Sequence, residues 1–127
     1  MKEGGVFLEI SEQLEKDKKI KQEVNRLKKL YKEFPREKSK ILEGLINEAA
    51  FMKLTLESLR EDLNKNGLTE LFEQGEQAFN RERPEAKQYT TFIQRYSQVM
   101  KQLIDLLPSE VKKQEEDALM EFVKRGK

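Results

Sequence analysis

The chain has 127 residues and contains neither cysteine nor histidine. That double absence removes disulfides, thiol nucleophiles, the usual zinc ligand sets and imidazole acid–base chemistry. No apolar run approaches the roughly 18 residues that a membrane span needs. The opening stretch, MKEGGVFLEISEQLEKDKK, lacks the apolar core and small-residue cleavage site of a signal peptide. A soluble intracellular protein is expected. A glycine-rich phosphate loop is missing as well. Charge of one sign is also lacking overall, since the net is only +1.

Charged residues are nevertheless abundant. At 39% they outnumber the 36% of apolar residues, which argues against an isolated thick core. Their balance argues against a disordered polyelectrolyte. That balance hides a division along the chain. Residues 16–40 carry eleven Lys or Arg against four acids, while residues 1–15 and 41–107 each carry a net −3. The basic character is local.

Hydrophobic spacing predicts an all-α fold. A first helix is expected from about Ser11, as N-cap, to Phe34, with Ile20, Val24, Leu27, Tyr31 and Phe34 drawing one narrow stripe. Pro35 must end it. A second helix should run from about Arg36 to Asn64. Its Leu42, Leu45, Ala49, Met52, Leu56, Leu59 and Leu63 alternate steps of three and four, and Ile41, Ile46 and Phe51 widen the face. Gly67 is its expected C-terminal cap. A rod of that length is about 43 Å long and should outrun what one small chain can cover.

A third helix should open near Pro84 or Ala86 and end at Pro108, carrying Tyr89, Phe92, Tyr96, Val99, Leu103 and Leu106 at the same spacing, with Ile93, Met100, Ile104 and Leu107 beside them. The second and third helices are read as a long antiparallel hairpin. A fourth, short helix with Ser109 as N-cap and sparse apolar positions (Val111, Leu119, Phe122, Val123) reads as a docking or tail helix more than a core element. Three segments result: a basic N-terminal segment 1–40, a hairpin and oligomerisation region 41–108, and a C-terminal tail 109–127. Between the two arms, residues 65–85 read as an irregular elbow, far longer than the two to eight residues such a connection needs: either a surface loop with its own small turn of helix, or a segment whose Leu68, Leu71, Phe72 and Phe79 contact a neighbouring subunit or a ligand.

Nothing in the pattern reads as a catalytic site. Adjacent acids such as Glu61–Asp62 and Glu115–Glu116 diverge by about 100° around a helix, so no metal or other cofactor is expected. The basic block offers more: Lys18, Lys19, Lys21, Arg26, Lys28, Lys29, Lys32, Arg36, Lys38 and Lys40 lie mostly off the apolar stripe. A rod of ammonium groups can lie against a phosphate backbone and release its counterions. Contacts from such a rod would position nucleic acid more than read its bases. The same lysines would serve equally as a solvated face. Leu42, Leu45, Ile46, Met52, Leu56, Leu59, Phe92, Tyr96, Val99 and Leu103 are the candidate core and oligomerisation positions. The aromatics among them sit at helical spacing, which favours packing over base stacking.

The succession LREDLNKNGLTELFEQGEQAFNRERPEAKQYTTFIQRYSQVMKQLIDLLP resembles small terminase subunits of tailed double-stranded-DNA phages, in particular the group found in phages and prophages of Gram-positive bacteria. The likeness spans about residues 41–108. It lies in a break at Asn66–Thr69, a polar glycine-containing segment at Glu70–Glu85, and an aromatic-rich helix from Tyr89 to Leu107 closed by Pro108. It implies a non-enzymatic subunit that assembles as a homo-oligomeric ring, binds double-stranded viral DNA at the packaging start site and loads the large terminase subunit, the ATPase and nuclease. The implied setting is the host cell cytoplasm. Many such subunits open with a compact helix-turn-helix domain, whereas here a single basic helix precedes Pro35. The alternative reading is a helical adaptor protein with no affinity for DNA.

Overall fold

The computed structural model describes residues 2–125, with side chains from residue 9 onward; Met1 of the N-terminal segment and residues 126–127 of the tail lie outside it. The elements in order are α1 (Lys2–Leu30), a 3-10 turn (Arg36–Lys38), α2 (Ser39–Asn66), β1 (Thr69–Gln74), β2 (Gln77–Glu82), α3 (Pro84–Ile104) and α4 (Ser109–Arg125). The chain is thus mainly helical, but it is not all-α.

The two long rods form as their spacing dictates. Along α2, Leu42, Ile46, Ala49, Met52 and Leu56 are buried, and along α3 so are Tyr96, Met100, Leu103 and Ile104. Arg60, near the end of α2, donates to the Tyr89 hydroxyl near the start of α3, so the rods run antiparallel. Pro84 occupies the first turn of α3, where its missing amide hydrogen costs nothing. Gly67 ends α2 with φ of 82°, a region that disfavours a Cβ, while its amide bonds Leu63 O at 2.8 Å.

Several expected boundaries shift. Ser11 is not a cap, because α1 starts nine residues earlier, at Lys2. Its far end comes early too: α1 stops at Leu30, and residues 31–34 form a turn that Pro35 cannot re-enter as helix. Tyr31 still reaches the core, its hydroxyl donating to Leu103 O. The third helix stops at Ile104: the Asp105 amide still bonds Lys101 O, but those of Leu106 and Leu107 close onto the Leu103 and Ile104 carbonyls in tighter turns. Ser109 is the first residue of α4, and its first helical bond runs from Lys112 N–H back to Pro108 O.

Two corrections concern larger units. The fourth helix docks on the body and also joins the core: Phe122 is buried in the same cluster as Leu56 and Leu103, with Val111 and Leu119 packed beside it. The expected irregular elbow is instead an antiparallel β-hairpin, pairing Glu70 with Arg81, Phe72 with Phe79 and Gln74 with Gln77. Its loop is the two residues Gly75 and Glu76. Gly75 has φ of 63°, and no other kind of residue in the described chain has positive φ. Glycine at the first loop position alone is the type II′ arrangement, whose twist suits a tight hairpin.

Of the positions proposed for core or assembly, Leu42, Ile46, Met52, Leu56, Tyr96 and Leu103 are buried within one chain, and Leu45, Leu59, Phe92 and Val99 are half-buried. The single chain therefore covers most of the α2 seam. On α2, Ile41 is 73% exposed and Phe51 near half exposed, as is Leu106 just beyond α3. Truncating Leu103, which is fully buried, to alanine should cost about 2–5 kcal/mol, whereas Ile41→Ala should stay within about 0.5 kcal/mol; urea denaturation at one fixed protein concentration measures both.

Candidate nucleic-acid interface

The ten basic residues singled out by sequence are divided by the fold into three sets. Leu27 marks the inward face of α1, being 2% exposed. Lys18, Lys21, Lys28 and Lys29 lie roughly 100–200° around the helix from it, and all four are exposed. Lys32, Arg36, Lys38 and Lys40 follow in the turn and the start of α2, exposed as well. Taken together, these eight exposed cations are the candidate basic surface. Lys28 approaches Glu43 only to 3.9 Å, and none of the other seven makes an ion pair among the described residues.

The turn that carries this surface is fixed to the body. Phe34 meets Tyr31 edge-on at 6.3 Å between ring centroids, and Tyr31 is held by its bond to Leu103 O. Burial, with the nearby Glu115 carboxylate, pushes the Tyr31 hydroxyl far above its ordinary pKa, so it remains a donor at any working pH. Ser39 Oγ closes the turn by donating to Arg36 O at 2.7 Å. The lysines of the turn thus stand on a base whose backbone is held at both ends. From Lys18 to Lys29 the α1 face is about 16 Å long, a reach of about five base steps of a duplex strand.

Lys19 and Arg26 do not join this surface. Lys19 lines a groove between α1 and α2 whose floor is Leu54 and whose walls include Glu12, Glu15, Glu57 and Glu61. That acidic lining disfavours phosphate. Arg26 is committed inward: it bonds Glu23 one turn away and Glu115 of α4 at 2.8 Å.

Glu23 is the centre of a charged network that the sequence reading did not identify. It is 8% exposed, and Lys53 of α2 donates to it at 2.7 Å. Burial works against its charged form, but hydrogen bonds and charge from Lys53, then Arg26, outweigh burial and leave its pKa below the ordinary value. On the other side of Lys53 sits Phe122, whose ring faces the Lys53 ammonium at 5.7 Å and the Arg60 guanidinium at 4.1 Å. Arg60 also donates to Phe122 O. These cations lie on the flank of α2 beside its leucine seam and hold α1 and α4 to it. The signal for them was a lysine and an arginine three and four residues from Leu56, visible in sequence only once α4 is known to pack there.

The remaining chemistry is sparse. Among the described residues there is no group of three Asp, Glu, His or Cys that could hold a metal ion, and no helix is long and apolar enough to cross a membrane.

The Glu23 network carries a pH signature. A carboxylate whose folded pKa is depressed contributes stability above its unfolded pKa and loses it as pH falls through the folded value. Wild-type stability should therefore drop below about pH 4.5, the ordinary Glu value. Glu23→Gln should cost on the order of 2 kcal/mol at pH 7 and flatten that acid-side slope, as read from denaturation midpoints between pH 3 and 7 (a range of roughly the width that linkage requires).

Compared with protein-family models, with curated proteins and with solved structures, the chain matches none of them.

Proposed function

We propose that the chain is a non-enzymatic, DNA-binding assembly protein of the small terminase subunit type. In this reading copies of the chain associate, bind double-stranded viral DNA and present it to the large terminase subunit. One observation carries the DNA part: eight Lys and Arg side chains between Lys18 and Lys40 are exposed along one stretch of chain and almost free of ion-pair partners. A solvated helix face normally intersperses acids among its lysines, and those pairs neutralise it. Here Glu23 turns into the body and Glu12 and Glu15 line the groove, while the exposed Asp17, Glu33 and Glu37 pair with none of these cations and Asp17 accepts from Gln13.

The surface is built for phosphate. Seven of its eight members are point charges or exposed forks with no neighbour that fixes them toward a base edge, so the affinity is electrostatic and tolerant of sequence. The assembly part rests on apolar side chains that one chain leaves uncovered, among them Ile10, Leu14, Ile41 and Leu71. The likeness of residues 41–108 to small terminase subunits links the two parts into one activity. The adaptor reading without DNA binding keeps the assembly and drops the lysine surface.

Binding of a duplex should weaken linearly on a log–log plot against salt, with a slope of about −0.9 per phosphate neutralised. Lys21→Ala, Lys28→Ala and Lys32→Ala together should flatten that slope by about 2–3 without lowering thermal stability. Arg26→Ala should do the reverse, lowering stability and leaving the slope nearly intact. Fluorescence anisotropy and thermal melts on the same preparations distinguish these outcomes. Absence of binding at low salt would establish the adaptor reading instead.

A further inference from the structure

We infer that the β1–β2 hairpin is an assembly edge, on which the outer side of β1 in one copy takes β2 of a second copy as an added antiparallel strand. The inference rests on the proposal that copies of the chain associate, and it names the surface by which they do so.

The hairpin stands apart from the helical body. Every residue from Leu71 to Glu82 is exposed except Phe72, and Leu68, Leu71 and Phe79 expose between 46% and 63% of their surface. Two strands alone are marginally stable in water, and among the described residues this pair has no third strand. Its root, by contrast, is firmly held. Arg83, only 11% exposed, lies 2.9 Å from Asp62 and donates to Gly67 O, while its amide bonds Leu68 O at 2.9 Å. A rigid root under an uncovered, partly apolar ribbon presents an edge at a defined angle.

The backbone parity says what that edge can accept. The Arg83–Leu68 bond fixes that pair as hydrogen-bonded. Alternation along an antiparallel ladder then makes 70–81, 72–79 and 74–77 hydrogen-bonded pairs and turns the N–H and C=O groups of 69, 71 and 73, and of 78, 80 and 82, outward. The outward groups of β1 therefore match the outward groups of β2 from another copy in the hairpin's own register. Leu71 would exchange backbone bonds with Asn80 of the second copy, flanked by 69 with 82 and 73 with 78.

Side chains favour this pairing over the others. In that register Glu70 again meets an Arg81 and Phe72 again meets a Phe79, the contacts that already hold the hairpin at 2.8 Å and at 5.4 Å between ring centroids. Pairing β1 with β1 would collect the carboxylates of Glu70 and Glu73 from both copies with no cation on either strand. Pairing β2 with β2 would give Phe72 and Glu70 no new partner. A β1-to-β2 contact is head-to-tail, so it builds a closed ring or an open run of copies instead of a two-fold dimer.

The chain has no cysteine of its own, so single introduced cysteines report cleanly. Gln74→Cys and Gln77→Cys chains, unfolded and refolded together, should form an intermolecular disulfide under mild oxidation, because 74 and 77 of neighbouring copies would face each other as a close pair. The mixture should give roughly tenfold more cross-linked product than either variant alone. Leu71→Pro, which removes an outward amide that the hairpin itself does not use, should reduce the assembly mass in light scattering while the far-ultraviolet helical signal is unchanged. If that variant loses its helical signal, the cross-linking mixture decides alone. Equal cross-linking in the single-variant samples, or none in the mixture while the wild type remains oligomeric, would overturn the hairpin edge and leave assembly to the helices. A monomeric wild type would remove the assembly reading itself.

Discussion

The other helices are positioned by α2, through its apolar seam and the cations beside it. Its residues Leu42, Ile46, Met52 and Leu56 face the Tyr96–Leu103 side of α3, and the same rod offers Lys53 and Arg60 on an adjacent flank. Those two cations bring in α1 through Glu23 and α4 through Phe122. Burial of apolar surface supplies the non-directional drive, at roughly 25 cal/mol per Å². The charged network adds direction, since a buried carboxylate tolerates only the arrangement that satisfies it. The two together orient α1 so that Leu27 faces inward, and the outward direction of Lys18, Lys21, Lys28 and Lys29 is a consequence.

This explains why the basic block is not one surface. The sequence places ten cations within 23 positions of one another, from Lys18 to Lys40. Helical rotation then separates them. Arg26 falls toward α4 and becomes structural, Lys19 falls toward the acidic groove, and eight remain for a ligand. The proposed grip on phosphate thus depends on a packing decision taken on the opposite side of the same helix.

Legibility followed the strength of the period. Along α2 and α3 the alternating steps of three and four continue for six or seven positions, and their helices, antiparallel pairing and core residues were readable from spacing alone. The start of α1 was not, because Gly4 and Gly5 are poor helix formers and Ser11 imitates a cap. The role of α4 was hidden by sparse apolar positions: one phenylalanine, Phe122, does most of its packing, and its cationic neighbours come from α2. The hairpin was hidden for a different reason. Its strands TELFEQ and QAFNRE carry few β-branched residues and little strict alternation, so no period announces them. The available clue was symmetry about Gly75–Glu76, with Gln74 and Gln77, then Phe72 and Phe79, at equal distances from the loop.

In the proposed function, a lysine surface fixed by the core is joined to copies that would associate through what the core leaves uncovered. Native mass spectrometry of the wild-type protein, alone and with a short duplex, tests that junction most directly. The account predicts species that are whole multiples of the 15.0 kDa chain, greater than one, which gain the mass of the duplex in low salt and shed it as salt rises. A single 15.0 kDa species that never acquires duplex would contradict it.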